Sequence, residues 1–309
     1  MHFDGGGYRR GRYIERRAGS ARDGDAATQA QLYRFKHFSH KETIMEPRIG
    51  TRDEWMAARK DLLVKEKALT REYDALTAER RRLPMVRIDK NYVFETPSGK
   101  RTLAELFDGK SQLIVYHFMM GPDWTEGCPS CSLLADTIDG SIVHLAHRDV
   151  TLMAISRAQL ADIETFKRRM GWRFPWASSF GSDFNHDFGV SFTDEEIASG
   201  RVVYNFERSP FPLEEAPGLS VFLKTDSDDV FHTYSTYARG GEAVIGAYHY
   251  LDFVPKGRDE DGLAFTMSWV RHHDRYGADY AVDPKRSYEP PAKKDACCAS
   301  HAKAEAISG

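Results

Sequence analysis

Only four of the 309 residues are cysteine, and they form two close pairs, Cys128 with Cys131 and Cys297 with Cys298. Four cysteines are too few for the disulfide framework that stabilises small secreted domains. In a reducing compartment, a close pair indicates redox chemistry or metal binding instead. The cysteine content therefore excludes one class of protein and directs attention to the two pairs.

Long apolar runs and a strong net charge are also missing. The longest apolar run, Leu113 to Met120, includes His117 and is far shorter than the roughly 20 residues of a membrane-spanning helix. Residues 1–40 show no apolar stretch behind a basic start, so no secretory signal is predicted. The net charge of -3 is no reason to expect nucleic acid or a membrane surface as a partner. We expect a cytoplasmic protein that acts on small molecules or on proteins.

Composition and patterning divide the chain into four parts. They are, in order, a disordered basic extension, an amphipathic helix, one α/β domain and a disordered tail, at residues 1–44, 45–84, 85–283 and 284–309. The extension is rich in Lys and Arg and has little apolar periodicity, so Met45 is an alternative start of the protein. Cys297 and Cys298 fall in the tail, where no packed surroundings would tune their reactivity.

The predicted helix carries an apolar residue at every seventh position after a capping-box spacing of Thr51 and Glu54. The repeated residues are Trp55, Leu62, Leu69, Leu76 and Leu83. A seven-residue repeat favours a coiled coil, and so a homodimer through this helix. Charged residues such as Arg59 and Glu66 occupy companion positions, however, and favour packing of the helix on its own domain.

Apolar strands and amphipathic helices alternate in the centre of the chain. Gln112 to Met119 has the pattern of a buried strand, and helix, strand and helix follow it up to Met170. Two strands joined by a tight turn come later, at 219–223 and 230–236. The order β-α-β-α followed by a hairpin predicts an α/β fold with a central mixed sheet.

Two further segments have a pattern of their own. Val86 to Glu95 alternates like one strand, and Phe265 to Tyr276 has the pattern of a helix. Neighbouring side chains on a helix diverge, so we expect no joint metal site from His272, His273 and Asp274.

Seven aromatic residues crowd the segment 171–192. Large rings in a soluble protein mostly need burial, so we expect them to fill a secondary core under a long loop. A wall for a substrate or cofactor is the alternative.

The candidate reactive centre is Cys128-Pro129-Ser130-Cys131, which follows the buried strand and opens a helix. Pro129 suits the first helical position, which makes Cys128 the cap. Free N–H groups at a helix start stabilise a thiolate, which is the nucleophile. Cys131 lies one turn further on, where it can resolve a mixed disulfide on Cys128. His117, before the motif, would either tune a cysteine or be a hydrogen-bonded core histidine.

A zinc site is the alternative, because Cys128, Cys131, His144 and His147 approach the spacing of a zinc finger. Here, however, the cysteines open a predicted helix that carries both histidines at its far end. Twelve helical residues span roughly 18 Å at a rise of 1.5 Å each, which is too far for one ion. We therefore expect no metal and no other cofactor.

Several longer stretches resemble a known family. They include YHFMMGPDWTEGCPSCS, RMGWRFPWASSFGSDFNHDFGVSF, VFHTYSTYARGGE and WVRHHDRY. These blocks are similar to the bacterial thioredoxin-like family catalogued as domain of unknown function eight-nine-nine, from about Glu54 to Tyr276. The resemblance implies a thioredoxin-like three-layer fold. It also implies a dithiol-disulfide oxidoreductase, with a protein or small-molecule thiol or disulfide as substrate and an unidentified reductant as partner.

The resemblance to thioredoxins also indicates where a substrate would bind. Thioredoxins place a cis-proline directly before the hairpin strand and a tryptophan directly before the first cysteine. The nearest proline here is Pro217, beside Gly218, while Gly127 precedes the first cysteine and Trp124 lies in the loop. From this resemblance we expect Trp124 and Gly218 to contact the substrate.

Peroxiredoxins supply an alternative function. Their motif P-x-x-x-T-x-x-C is matched one residue short by Pro122, Thr125 and Cys128. The arginine expected before the hairpin strand is missing from Ala216 to Leu219. A peroxiredoxin-like thiol peroxidase is therefore the second expectation. The third is a non-enzymatic binding module of thioredoxin fold that presents the aromatic segment to a ligand.

Overall fold

The computed structural model describes residues 48–277 except Pro210, Pro212 and Ala264. Four predictions lie outside these residues, namely the basic extension, the alternative start at Met45, the tail, and the pair Cys297 and Cys298. Within the described part of the chain, every helix is too short or too polar to cross a lipid bilayer.

One eight-stranded mixed sheet organises the molecule, in the order β1-β10-β9-β4-β5-β6-β2-β3. Its strands are β1 (Val86–Arg87), β2 (Val93–Thr96), β3 (Gly99–Thr102), β4 (Gln112–His117), β5 (Val150–Ser156), β6 (Trp176–Ser178), β9 (Gly218–Lys224) and β10 (Val230–Tyr237). A separate two-stranded ribbon consists of β7 (Val203–Tyr204) and β8 (Glu207–Arg208).

The described helices are short, apart from the first one. They are α1 (Arg52–Arg80), α2 (Pro129–Ala135), α3 (Ile138–His147), α4 (Leu160–Arg169), α5 (Phe184–Asp187), α6 (Asp194–Ser199) and α7 (Gly246–Leu251). Three 3-10 helices span Glu105–Phe107, Ala238–Val244 and His273–Arg275.

Strand β4 lies at the centre of the sheet, between β5 and β9. It pairs in parallel with β5, starting with Gln112 opposite Val150, and antiparallel with β9 on its other side. Its inner residues meet a core on each face of the sheet, Tyr116 on one and Leu113 and Val115 on the other, which explains why they are apolar, as predicted for a buried strand. β6 extends the parallel part beside β5, and the predicted hairpin forms from β9 and β10.

Helical elements cover both faces of the sheet. α2, α3 and α4 pack on one face, where Leu134, Ile138 and Phe166 join one apolar core. Neighbouring side chains of a strand point to opposite faces. Tyr116 of β4 therefore faces this core, whereas Leu113 faces a second core that includes the first 3-10 helix and α5. The predicted thioredoxin-like α/β fold, a mixed sheet between helical layers with a long helix before it, is confirmed.

The segment predicted as a single strand from Val86 to Glu95 is split in two. β1 pairs with β10 at one edge of the sheet, whereas β2 pairs with β6 near the other. Asp89, Lys90 and Asn91 lie exposed between them. Three polar residues in a row interrupt the alternation that one half-buried strand needs. The expectation of one continuous strand is therefore wrong.

The predicted cap of α1 is present, but its packing differs from the expectation. Thr51 and Glu54 form the capping box, yet none of the 29 residues of α1 is buried. Trp55 stays 52% exposed and Leu69 67% exposed. The expected packing of this helix on its own domain is therefore wrong. Charged side chains at the companion positions bond along the helix, as Arg59 does with Glu66 at 2.8 Å. A homodimer through α1 stays a prediction.

Six of the seven rings of the aromatic segment are buried, and they belong to the main cores. Trp176 lies in β6 and packs in the core of the Tyr116 face, Phe184 packs in the second core, and Phe192 in a third. Only Phe180, at 48%, is largely exposed. The expectation of a secondary core under a loop is corrected, because this segment itself supplies a strand to the sheet.

The segment predicted as a helix from Phe265 to Tyr276 contains a single 3-10 turn, His273–Arg275. Its side chains bond to distant elements, as Asp274 does to Arg169 and His272 to Gly127. Tertiary contacts of this kind override a helical pattern of apolar residues. The helix prediction is wrong here.

Replacing Phe184 tests how far the aromatic segment supports the fold. Phe184 is fully buried and meets Phe94 edge-on, with the ring centroids 4.9 Å apart. We expect Phe184→Ala to lower the free energy of unfolding by about 3 to 5 kcal/mol. Phe180→Ala in the same segment is the matched control, with an expected loss under about 1 kcal/mol. Urea unfolding measures both, and equal losses would contradict this account.

Candidate functional site

Cys128 lies between the central strand β4 and the helix α2. After β4, three buried residues and a loop lead to Cys128, whose backbone N–H donates to the Met119 carbonyl at 3.0 Å. Cys128 is the cap of α2 and Pro129 its first residue, as predicted. The carbonyl of Cys128 accepts the backbone N–H of Ser132 at 2.9 Å. The sheet centre and the first turn of α2 therefore hold this cysteine from both sides.

The helix behind the motif is shorter than predicted. It ends at Ala135, and a new helix starts at Ile138. The hydroxyl of Thr137 donates to the Leu134 carbonyl at 2.7 Å at this junction. His144 and His147 lie in the last turn of α3. Among residues 48–277 as described, no three His, Cys, Asp or Glu side chains are grouped so that they could hold a metal ion.

Both cysteines of the motif are buried as free thiols. Cys128 exposes 7% of its surface and Cys131 only 2%. Both belong to the apolar core on the Tyr116 face of the sheet. The two thiols therefore lie together in this core, and their action as a redox couple stays a prediction.

The surroundings displace the pKa values of the two thiols in opposite directions. A hydrogen bond from the Cys131 thiol lowers the pKa of Cys128, and the backbone N–H groups of Cys131 and Ser130 add to this effect against the cost of burial. Burial raises the pKa of Cys131 well above its usual value, and its bond and charge interaction with Cys128 raise it further. Cys128 is therefore the better thiolate and Cys131 the thiol that donates to it.

The two residues expected to contact a substrate lie in different places. Gly218 lines a cavity of about 1060 Å³ together with Cys131. A Cβ at Gly218 would come within 2.6 Å of the Tyr237 ring, so the close approach of this ring requires glycine. Trp124 instead donates its indole N–H to Glu214 at 2.8 Å and is not part of the cavity lining. Trp124 packs instead against the core that contains both cysteines. Contact of either residue with a substrate stays a prediction.

A carboxylate at the end of the loop before Cys128 holds the segment 269–276, called the C-terminal segment here, against the motif. Glu126 pairs with Arg169 at 3.1 Å and also with Arg275. Burial alone would raise the pKa of Glu126, but hydrogen bonds from Arg275 and Arg169 bring that pKa below its usual value. Arg169 in turn bonds Asp274 through two nitrogens. Glu126, which is close to Cys128 in the sequence, therefore stays ionised as a carboxylate.

His272 completes this contact. Its Nε2 lies 2.8 Å from the carbonyl oxygen of Gly127, the residue before the first cysteine. Burial lowers the pKa of His272, so the ring is neutral and donates to that carbonyl. His273 bonds Asp136 instead, whereas His272 and Asp274 both bond Arg169, so the predicted divergence holds for His273 alone. Sequence reasoning missed the role of His272, and only the WVRHHDRY block pointed to this segment.

His117 faces away from the cysteines. It lies on the second-core face, where its ring stacks on Phe188 with the centroids 5.9 Å apart. Its Nε2 lies 2.8 Å from the Ser220 hydroxyl, which in turn lies 2.8 Å from that of Ser235. Burial lowers the pKa of His117 to about 3. Of the two predicted roles, the core histidine is the one that the geometry supports.

The buried ring of His117 makes stability depend on pH. The folded protein binds a proton there with a pKa of about 3 and the unfolded chain with a pKa of 6.5. The contribution of the neutral His117 ring to the free energy of unfolding is complete above pH 6.5 and is lost as the pH falls towards 3. The free energy of unfolding should fall between pH 6.5 and pH 5. We expect this fall to be smaller in His117→Gln than in the wild type by roughly 1 to 2 kcal/mol. Urea unfolding at both pH values measures this fall. An equal fall in the wild type and in the variant would contradict the account of His117 as a buried, neutral ring.

The fold and the site define a class, the thioredoxin-like proteins with a Cys-x-x-Cys pair at the start of the helix after the central strand. The family model described as bacterial protein of unknown function (DUF899) matches residues 44–276. The chain belongs to this family, which confirms the resemblance seen in the sequence. None of the proteins with curated functions matches this chain.

Among solved structures, the chain is similar to several peroxiredoxins. Peroxidoxin BcpB from Mycobacterium tuberculosis is 12% identical with a TM-score of 0.35, over 53% of this chain and 96% of that one. Peroxiredoxin Q from Xanthomonas campestris is 13% identical with a TM-score of 0.34, over 50% of this chain and 87% of that one. The mitochondrial 2-Cys peroxiredoxin from Plasmodium falciparum is 13% identical with a TM-score of 0.33, over 53% and 91%.

Proposed function

We propose that this protein is a thiol-disulfide oxidoreductase in which Cys128 attacks and Cys131 resolves. One observation carries the proposal: Cys128 caps the first turn of α2 as a free thiol, Cys131 lies one turn further on, and a hydrogen bond from Cys131 lowers the pKa of Cys128. Disulfide exchange needs one thiolate that attacks and a second thiol that stays protonated until the mixed disulfide has formed.

The exchange runs in two steps. The Cys128 thiolate attacks one sulfur of a substrate disulfide, the substrate S–S bond breaks, and the released thiolate takes up a proton. Cys131 then loses its proton and attacks the Cys128 sulfur, which releases the second substrate thiol and leaves a Cys128–Cys131 disulfide. The substrate gains two electrons and the protein loses them. A thiol reductant returns the pair to the dithiol, and a cytoplasmic location would supply one.

The hydrogen bond between the two thiols yields the first test. We expect Cys131→Ala to raise the pKa of Cys128, because the variant removes the thiol that donates to it. The alkylation of Cys128 by iodoacetamide at pH 7 should then slow several-fold. Cys131→Ser keeps a hydroxyl donor and should slow the reaction less. Serine replaces Cys297 and Cys298 in every variant, and mass spectrometry follows the peptide that carries Cys128.

The same variant distinguishes the alternative functions. Under the proposal, Cys131→Ala accumulates mixed disulfides on Cys128, whereas Cys128→Ser forms none. An alkylation rate at Cys128 no higher than that of a free cysteine, without mixed disulfides, would favour a non-enzymatic binding module. Rapid formation of sulfenic acid at Cys128 with hydrogen peroxide would favour a thiol peroxidase.

A further inference from the structure

The two-step exchange does not by itself require the large cavity beside Cys131. Its lining comes from distant parts of the chain, including Leu134 of α2, Leu219 of β9 and Ile245 before α7. Its volume of about 1060 Å³ lies at the upper end of the usual range for small-molecule sites, about 300–1,000 Å³.

The wall is apolar even where tyrosines build it. The hydroxyl of Tyr204 donates to the Pro217 carbonyl at 2.7 Å, and that of Tyr248 to Glu260 at 2.7 Å. The hydroxyl of Tyr237 donates to the Phe188 carbonyl at 2.8 Å. These three groups are bonded within the protein, so the rings offer mainly their carbon surface to an occupant. Recognition inside the cavity therefore rests on apolar and ring contacts.

The cavity meets solvent at its charged lining residues, and these residues carry charges of both signs. Arg239 pairs with Glu242 at 2.9 Å. Glu207 and Arg208 are neighbours of opposite charge on β8, and both are exposed. The opening therefore favours neither a strongly anionic nor a strongly cationic ligand.

The burial of the thiols limits what can reach them. A folded protein substrate needs a reactive sulfur at the surface, where two protein chains can meet, but Cys128 and Cys131 expose 7% and 2% of their surface. Cys131 lies in the cavity wall, and its thiol is bonded to that of Cys128. A molecule that enters the cavity therefore meets Cys131, and Cys128, which does not line the cavity, lies one hydrogen bond further on.

We infer that the cavity is the substrate site of the couple and that it takes a small, uncharged aromatic disulfide rather than a protein disulfide. This inference rests on the proposed exchange chemistry. The bound disulfide, R–S–S–R, accepts two electrons and two protons and leaves as two R–SH molecules, while Cys128 and Cys131 close to a disulfide. Dithiothreitol in the assay reduces the pair again.

Substrate comparison is the first test. We use 4,4′-dithiodipyridine as the aromatic disulfide and insulin as the protein disulfide, with dithiothreitol as reductant and Cys297 and Cys298 replaced by serine. The expected result is catalysed reduction of the dipyridine compound above the uncatalysed rate and none of insulin. Catalysed reduction of insulin at a comparable rate would overturn the inference.

A pair of glycine variants tests the cavity itself. Gly241 lines the cavity and Gly140 does not, and a Cβ added at either position meets no neighbouring atom within 4 Å. Gly241→Trp should lower kcat/KM for 4,4′-dithiodipyridine about tenfold, the effect of losing about 1.4 kcal/mol of binding free energy. Gly140→Trp should leave that value unchanged. Equal rates in the two variants would overturn the assignment of the cavity.

A non-reacting probe separates this inference from the proposed function. The fluorescent compound N-phenyl-1-naphthylamine is aromatic and uncharged and contains no disulfide. It should bind the double variant Cys128→Ser, Cys131→Ser, and binding should weaken with Gly241→Trp added but not with Gly140→Trp. A slow iodoacetamide reaction at Cys128 would refute the exchange chemistry, whereas probe binding unaffected by Gly241→Trp would refute the cavity as the site.

Discussion

The backbone hydrogen bond from Cys128 to the Met119 carbonyl is the constraint on which the site depends. It ties the cap of α2 to the chain just beyond the central strand. Because β4 pairs along its whole length with β5 and β9, its end cannot shift without breaking both ladders. The position of Cys128 is therefore fixed relative to the centre of the sheet. Its neighbour Cys131 follows one helical turn later, and the asymmetry of the two thiols comes from this fixed spacing.

The outer side of the motif is held by charge rather than by the sheet. Glu126 gathers Arg169 and Arg275, and His272 bonds the Gly127 carbonyl. Partly buried ion pairs that are also hydrogen-bonded hold geometry better than exposed ones. The loop before Cys128 is thus clamped between α4 and the C-terminal segment.

The two faces of the sheet divide the chemistry. On the Tyr116 face lie the dithiol and the cavity, and on the other lie His117 and the serines bonded to it. The alternation of side chains along β4 is enough to make this separation, since Tyr116 and His117 are adjacent. His117 therefore lies on the opposite face of the sheet from Cys128, although only a loop separates their segments in the sequence. Its pKa reflects burial among aromatic rings.

What the sequence determined by itself is local. The strand, the Cys-Pro-Ser-Cys cap, the hairpin and the capping boxes depend on residues a few positions apart, whose spacing decides hydrogen bonds and exposed faces. The tertiary structure alone decided the burial of both thiols, the cavity beside Cys131, the exposure of α1 and the contact of His272 with Gly127. That last contact joins residues 145 positions apart. No local pattern encodes such a pairing, because it forms only when the sheet has brought distant segments together.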